Sequence, residues 1–560
     1  MRVKILLITL LSVSIISAQK REDNYIFPVN LPPSLSANYG ELRATHFHSG
    51  IDIRVGGVSG ASVLAANDGY ISRISVSPTG YGNAIYIDHP NGRTSQYGHL
   101  HEFAPAIAKW VREQQYERQS FVVNLMLPKE KFPVKRGDVI GKAGNTGSSG
   151  GPHLHFEIRE SSTQIPLNPI SEAKFKINDN IPPEIKIINL YSVSTPYSIP
   201  ESRLLKSLSE AILEIIPVSD TFYAAVWGYD RQNNTNGKLA VSSYRFFLDE
   251  ELIFSFTPER IPFDKGRYIN SILEYSEKYN NDISMVKSRV EPGGDLKPNI
   301  KSYSDGLFII KDDEIHQVKI QLTDEHGNTS QRVLKVKRDS SLNHFSVHDS
   351  VKLKNGVVMP WFLPNRYEAE GVRITLPPGS LYSSILFEAD TIYYKGEQGW
   401  RLHNSQTPIH APARLAMKSP FPDSLTSKAL IALIGEDGDV SSLGGSYKAG
   451  WIETTTTSFG GFIPMLDTIS PTIRLSFNEG ANLSGRSTFR ITVYDNLSGI
   501  KEYRVMIDGK WILTTYDPKN KRLETELKPD KIGRGKRHSL EIIVSDNKDN
   551  ISVLKSSFIW

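Results

Sequence analysis

The chain has 560 residues, 65 of them Lys or Arg and 61 Asp or Glu, for a formal net charge of +4. That length exceeds what one hydrophobic core holds and predicts about four domains. The near balance of charge, with no basic block, excludes a nucleic-acid-binding protein and at most favours an anionic envelope. No cysteine is present, which excludes disulfides and thiolate metal sites, so any zinc site must be built from imidazole and carboxylate.

Met1-Arg2-Val3-Lys4 makes a basic start, an apolar run follows over 5–17, and the small residue Ala18 closes it. The pattern predicts a secretory signal peptide at 1–18 and a protein exported to the periplasm or cell envelope. The run is shorter than the roughly 20 residues of a membrane-spanning helix, and no later segment approaches a transmembrane helix. An exported chain without cysteine suits a bacterial envelope protein.

Half of the 14 histidines lie between His46 and His155. They cluster in His48-Ser49-Gly50-Ile51-Asp52, Tyr97-Gly98-His99-Leu100 and Gly151-Pro152-His153-Leu154-His155-Phe156-Glu157. The last of these alternates: His153, His155, Glu157 and Arg159 fall on one face of a strand, Leu154, Phe156 and Ile158 on the other. The apolar face can enter a core while two histidines stand side by side over a cleft, one to bind metal and one to handle a proton. His48 and Asp52 are four apart, but Gly50 and the β-branched Ile51 and Ile53 oppose a helix, so a turn or strand entrance is expected.

On these motifs the stretch 38–168 resembles the lysostaphin- and LytM-type zinc metallopeptidases, secreted bacterial enzymes that cut peptidoglycan peptides. The resemblance implies an antiparallel-β domain with one zinc ion per chain. Its ligand positions match His48, Asp52 and His155, and its catalytic histidines match His153 and His99. Three protein ligands leave one position open for water or substrate. The glycine-rich approach fits as well, in Arg136-Gly137-Asp138-Val139-Ile140-Gly141 and Gly144-Asn145-Thr146-Gly147-Ser148-Ser149-Gly150. No Lys-Ser/Thr pair follows these glycines, so they are not a nucleotide loop. Residues 102–133 depart from the minimal pattern with a predicted helix over 105–116, which leaves the shape of the groove open.

Other nearby residues have ordinary readings. His46 and His101 match no required position. His89 flanks the turn Pro90-Asn91-Gly92 between strands at 84–88 and 93–99. Arg43 and Asn145 are candidates for substrate contact.

The peptidase domain is expected at 19–180, ending in a linker near Asn178-Asp179-Asn180-Ile181-Pro182-Pro183. An immunoglobulin-like β-sandwich is expected at 181–340, with strands at 184–190, 224–228, 243–248, 316–322 and 332–337. An all-β domain at 341–466 includes strands at 371–377 and 382–389. A C-terminal immunoglobulin-like sandwich at 467–560 has strands at 472–477, 487–495, 502–507, 538–545 and 551–559. The turns Asp324-Glu325-His326-Gly327-Asn328 and Asp546-Asn547-Lys548-Asp549-Asn550 read as turns rather than calcium sites. The fold class is therefore mainly β.

The function implied is a zinc-dependent endopeptidase hydrolysing stem or cross-link peptides of peptidoglycan in cell-wall remodelling. The alternatives are a non-catalytic envelope adaptor and a secreted protease acting on glycine-rich proteins. The β-sandwich domains are expected to position the enzyme, and to meet any envelope protein partners, without forming its groove.

Overall fold

The structure, a computed structural model, describes residues 25–194, 199–210, 213–343 and 356–560. The expected signal peptide at 1–18 lies outside the described residues. The chain is mostly strand, as its composition of short alternating runs and turn residues implies.

The N-terminal part is built on an antiparallel sheet in the order Leu35–Ala37, Ile51–Arg54, His153–Glu160, Arg93–Gly98, Ala84–Asp88, Gly69–Val76 and Val123–Met126. A smaller sheet of Ser62–Leu64, Val139–Ala143 and Leu100–Phe103 lies beside it. The alternation in His153–Glu160 sends Leu154, Phe156 and Ile158 into a core shared with Ile53, Ile71, Ile85 and Ile87. The opposite face is less open than expected, because Glu157 and Arg159 are also buried. The Arg159 guanidinium lies over the rings of Tyr86 and Phe263.

The helix expected at 105–116 is Pro105–Arg118, started by its proline and ended by Gln119 in a left-handed conformation. It buries Ile107 and Val111. The segment 102–133 contributes no residue to the histidine-lined groove. Its helix docks on the C-terminal part of the chain instead, Tyr116 against Trp511 with ring centroids 5.3 Å apart and Arg112 facing Glu526 at 3.5 Å.

From Glu184 to Arg338 two sheets face each other around a separate core that includes Phe222, Phe246, Phe254 and Val336. From Thr472 to Ile559 a second pair of sheets encloses Phe489, Ile491, Val505 and Phe558. Each pair has a short strand running parallel to the final long one, Ile216–Val218 beside Thr329–Arg338 and Ala481–Asn482 beside Ile551–Ile559. The sheets between them use strands such as Val372–Leu376, Pro408–Lys418, Ala429–Ile434 and Gly460–Leu466. The strand expected at 382–389 begins only at Ile385, as Ile385–Phe387, and its last residue opens a separate strand, Ala389–Tyr394. Tyr382 instead leaves the sheet, and its hydroxyl donates to the Arg267 carbonyl. Among the described residues, no helix is long and apolar enough to cross a membrane.

Phe156, on the core face of the histidine strand, is fully buried against Tyr97 and Phe175. Phe156→Ala should destabilise this part of the chain by about 3–5 kcal/mol, the usual cost of emptying a buried aromatic site. The check is the denaturant midpoint of its unfolding transition at fixed zinc.

Candidate active site

Strand register brings the three motifs together. His153–Glu160 pairs on one side with Ile51–Arg54, placing His155 opposite Asp52, and on the other with Arg93–Gly98, placing His155 opposite Gly98. His99 follows Gly98 at once and adopts φ 59, an unfavourable left-handed conformation for a side-chain-bearing residue. That turn swings its imidazole back beside His153, with ring centroids 4.8 Å apart.

His48 Nε2, Asp52 Oδ1 and His155 Nδ1 lie 2.9–3.1 Å from one another. Ligands about 2.0–2.1 Å from a tetrahedral zinc stand roughly 3.3 Å apart, so the triad needs to open only by tenths of an ångström to hold the ion. All three residues are buried. His153 Nε2 approaches the same Asp52 oxygen at 3.4 Å.

The other nitrogen of each histidine is already engaged, which fixes the tautomers. His48 Nδ1 donates to the Asn38 carbonyl at 2.8 Å, His99 Nδ1 to the Thr146 carbonyl at 2.8 Å and His153 Nδ1 to the Gly151 carbonyl at 2.8 Å. A carbonyl can only accept, so the Nε2 atoms of His48, His99 and His153 carry lone pairs. His155 Nε2 donates to Glu157 Oε1 at 2.8 Å and leaves Nδ1 for the metal. Such outer partners orient metal-binding imidazoles.

Charge supports the same reading. Burial would depress His155, but hydrogen bonds to Asp52 and Glu157 outweigh it and raise its pKa to about 9. The two carboxylates thus favour a positive charge between them, which a bound cation would supply. Glu157 resists burial through Arg159 and His155, which hold its carboxyl well below the usual range. Ser49 and Tyr81 hydroxyls donate to its Oε1, each at 2.7 Å. Burial lowers His99 to about 3, so it is a neutral acceptor at working pH.

All five expected site residues meet in one groove, whose lining also includes Arg43 and His46. Arg43 Nη2 lies 2.9 Å from Asp52 Oδ2. His101 and the Asn145 side chain are exposed and outside this lining. His89 is structural, held between the Asp68 carbonyl and Ser95 Oγ.

Two contributors carry no local sequence signal. Ile261, Pro262, Phe263 and Gly266 form a wall of the groove. This corrects the expectation that the β-sandwich region stands apart from it. The contact is intimate: Phe47 belongs to the core of the Glu184–Arg338 sheet pair, and Gln232 and Asn38 tie the two parts through hydrogen bonds to Leu35 and Ala240. The second contributor is Lys519, whose ammonium donates to the carbonyls of Asn145 and Ser149 at 2.9 and 2.7 Å. It braces the loop whose Thr146 and Gly151 carbonyls orient His99 and His153. At Gly147 the same loop packs against Gly80 and Gly82 with φ +70, and a Cβ there would fall 2.3 Å from backbone atoms.

Residues 46–116 and 111–169 match the model described as Peptidase family M23, and residues 356–467 match a Zu5-like domain. The chain is 35% identical over 132 residues to the "DD-carboxypeptidase/endopeptidase Mpg" of Neisseria meningitidis serogroup B and to that of Neisseria gonorrhoeae, covering 24% of this chain and 24% of each relative. An "Uncharacterized metalloprotease" of Haemophilus influenzae is 28% identical over 124 residues, 22% of this chain and 20% of that protein. The chain thus spans about a quarter of the length of the curated relatives it matches. Among solved structures, the catalytic domain of lysostaphin from Staphylococcus simulans is 24% identical, covering 26% of this chain and 93% of that one with a TM-score of 0.19. A putative peptidase M23 from Pseudomonas aeruginosa is 27% identical over 25% of this chain and 46% of that one, with a TM-score of 0.18. His48, Asp52 and His155 fit a single zinc ion, the metal of M23 metallopeptidases.

His155→Ala should lose most of the bound zinc, measured by metal analysis after dialysis against sub-micromolar free metal. Lys519→Met should keep zinc yet lower peptide turnover by roughly tenfold to a hundredfold, the scale on which small misplacements of catalytic groups act. Parallel metal and rate measurements check it.

Proposed function

We propose, on the premise that residues 46–169 are a domain of peptidase family M23, that this protein is a zinc-dependent endopeptidase acting on peptidoglycan stem or cross-link peptides in the periplasm or cell envelope. The observation that carries the reading is the convergence of three ligand atoms within 3.1 Å of one another, beside two further histidines whose Nδ1 atoms are pinned to backbone carbonyls, which turns Nε2 to the acceptor role.

Zinc, when bound, polarises a peptide carbonyl and makes water more acidic. His153 Nε2 accepts the proton of the attacking water and returns it to the leaving amine. His99, neutral and with Nε2 an acceptor, takes a second hydrogen bond from that water and aims it. Arg43 shares Asp52 with the metal position and holds that carboxylate from its far oxygen. The wall at Ile261–Phe263 with Tyr39 and Phe47 excludes solvent from one side of an extended peptide.

An adaptor role is disfavoured because all five positions are occupied and each histidine has its orienting partner. A protease acting on glycine-rich proteins would use the same groove. The match of residues 46–169 and the opposed sheet pairs also support reading 19–180 as the peptidase domain, and 181–340 and 467–560 as immunoglobulin-like sandwiches flanking 341–466.

His153→Ala and His99→Ala should fold and keep zinc, yet lose about 10²–10⁴-fold in rate, the worth of a positioned acid–base group. Near-normal turnover in both, with zinc verified, would remove the proton-transfer roles. Digestion of purified sacculi, with new termini identified by mass spectrometry, decides the substrate. New amino termini within stem or bridge peptides support peptidoglycan, whereas intact sacculi together with cleaved glycine-rich proteins favour the other reading.

A further inference from the structure

The two sandwich-like units open with similar sequences. Asp179-Asn180-Ile181-Pro182-Pro183-Glu184-Ile185-Lys186 precedes one, and Asp467-Thr468-Ile469-Ser470-Pro471-Thr472-Ile473-Arg474 the other. Each ends with an Asp-x-x-x-Asn turn between its last two long strands. In the C-terminal unit Asp546 Oδ1 accepts the amides of Lys548 and Asn550, at 2.8 and 2.9 Å. The Asn550 side chain donates to Asp546 Oδ2 and to the Asp467 carbonyl. Asp324 and Asn328 make the same contacts, down to Asn328 donating to the Asp179 carbonyl. These bonds account for the turn but not for the side chains that gather around it.

At the C-terminal junction Asp467, Asp495 and Asp546 each offer a carboxylate oxygen within 4.8 Å of the others. Asp467 is fully buried, and its Oδ1 has no hydrogen-bond partner among the described residues. Asp495 Oδ1 is likewise buried without a partner. So is the hydroxyl of Ser498, whose amide donates to Asp467 Oδ2 at 3.0 Å. The Lys548 ammonium lies close enough to feel the charges of Asp467 and Asp546, but its hydrogen bonds go to the carbonyls of Ala429 and Gly445, and they leave the Asp467 and Asp495 Oδ1 atoms unpartnered. In the earlier unit the equivalent position holds His326, whose Nδ1 faces Asp179 Oδ2 at 3.7 Å.

Three like charges this close, two of them with a buried oxygen that no donor among the described residues satisfies, are costly to bury. Oxygen-only ligands from carboxylates and a hydroxyl suit a hard cation, and oxygens on a calcium shell of about 2.3–2.6 Å radius are at most about 5 Å apart. The set has no nitrogen or sulfur to recruit zinc. We propose that Asp467, Asp495 and Asp546 bind one calcium ion at the junction between the unit ending near Leu466 and the C-terminal unit. Asp467 comes from the connecting segment and the other two from the C-terminal unit, so the ion ties the segment to the sandwich. Because that sandwich carries Lys519, the ion also fixes the platform that braces the histidine loop.

The test uses the full chain, passed over chelating resin, reloaded with one equivalent of zinc and titrated with calcium chloride, with magnesium chloride as control. Equilibrium dialysis should show that Asp467→Asn/Asp495→Asn binds one calcium ion fewer than the parent chain. Calorimetry should show the C-terminal transition of the parent rising by roughly 5 °C or more at saturating calcium. Asp467→Asn keeps an acceptor for the Ser498 amide and removes a charge. It should therefore unfold at or above the parent's temperature without calcium and below it with calcium. An absent calcium response in the parent chain, or an unchanged number of bound ions in the double variant, would overturn the proposal. So would an Asp467→Asn chain that is weaker both with and without calcium, since Asp467 would then be a structural acceptor only.

Discussion

The pairing of His153–Glu160 between Ile51–Arg54 and Arg93–Gly98 is the constraint on which the groove depends. Side chains alternate with period two, so a slip of one residue in either ladder would send the histidines into the hydrophobic core and Leu154 and Phe156 to the groove. The apolar face prevents that slip. Phe156 and its neighbours have only one buried layer to enter, and once they do, Asp52 stands opposite His155 and the next turn delivers His99. Hydrophobic packing thus fixes the position of polar chemistry to within the tolerance that a small metal ion demands.

The local backbone of the groove was legible because its spacing is local, while the roles of its side chains came from the resemblance. The His-x-His alternation, the Gly between His48 and Asp52, and the Pro-Asn-Gly turn each report their own backbone, and the structure differs mainly in where strands stop. The strand read from 382 starts three residues late for a tertiary reason: Tyr382 is drawn out to the Arg267 carbonyl. Lys519 and the Ile261–Gly266 wall were illegible for a stronger one. A lysine in a surface turn and a Pro-Phe segment in a loop look like any others, and only the long-range packing of the chain carries them, over 370 residues in the case of Lys519 and Ser149, to the groove.

The outer partners of the histidines explain why so much polar surface is tolerated in a buried place. Glu157 is fully buried, yet it meets His155, Arg159, Ser49 and Tyr81. A carboxylate so surrounded stays charged, keeps the imidazole turned with Nδ1 inward, and stiffens the strand from the side opposite the core. A buried ion pair of this kind is weak support for stability, because desolvation offsets much of its attraction. Its benefit is orientation, which matters more to a metal site than a few tenths of a kilocalorie.

The groove is therefore a property of the whole chain rather than of its first quarter. One wall comes from Ile261–Gly266, and the loop that orients both free histidines is held by a residue near the other end. Arg267, next to that wall, donates to the carbonyls of Ile409 and His410, so the contacts run from the peptidase part through each later unit and return at Lys519. In a closed circuit of this kind, loosening any one junction relaxes the next, and a substrate that enters by shifting Phe263 works against packing far from it. A flexible peptide able to fit the existing slot is then favoured over a folded protein that must open it.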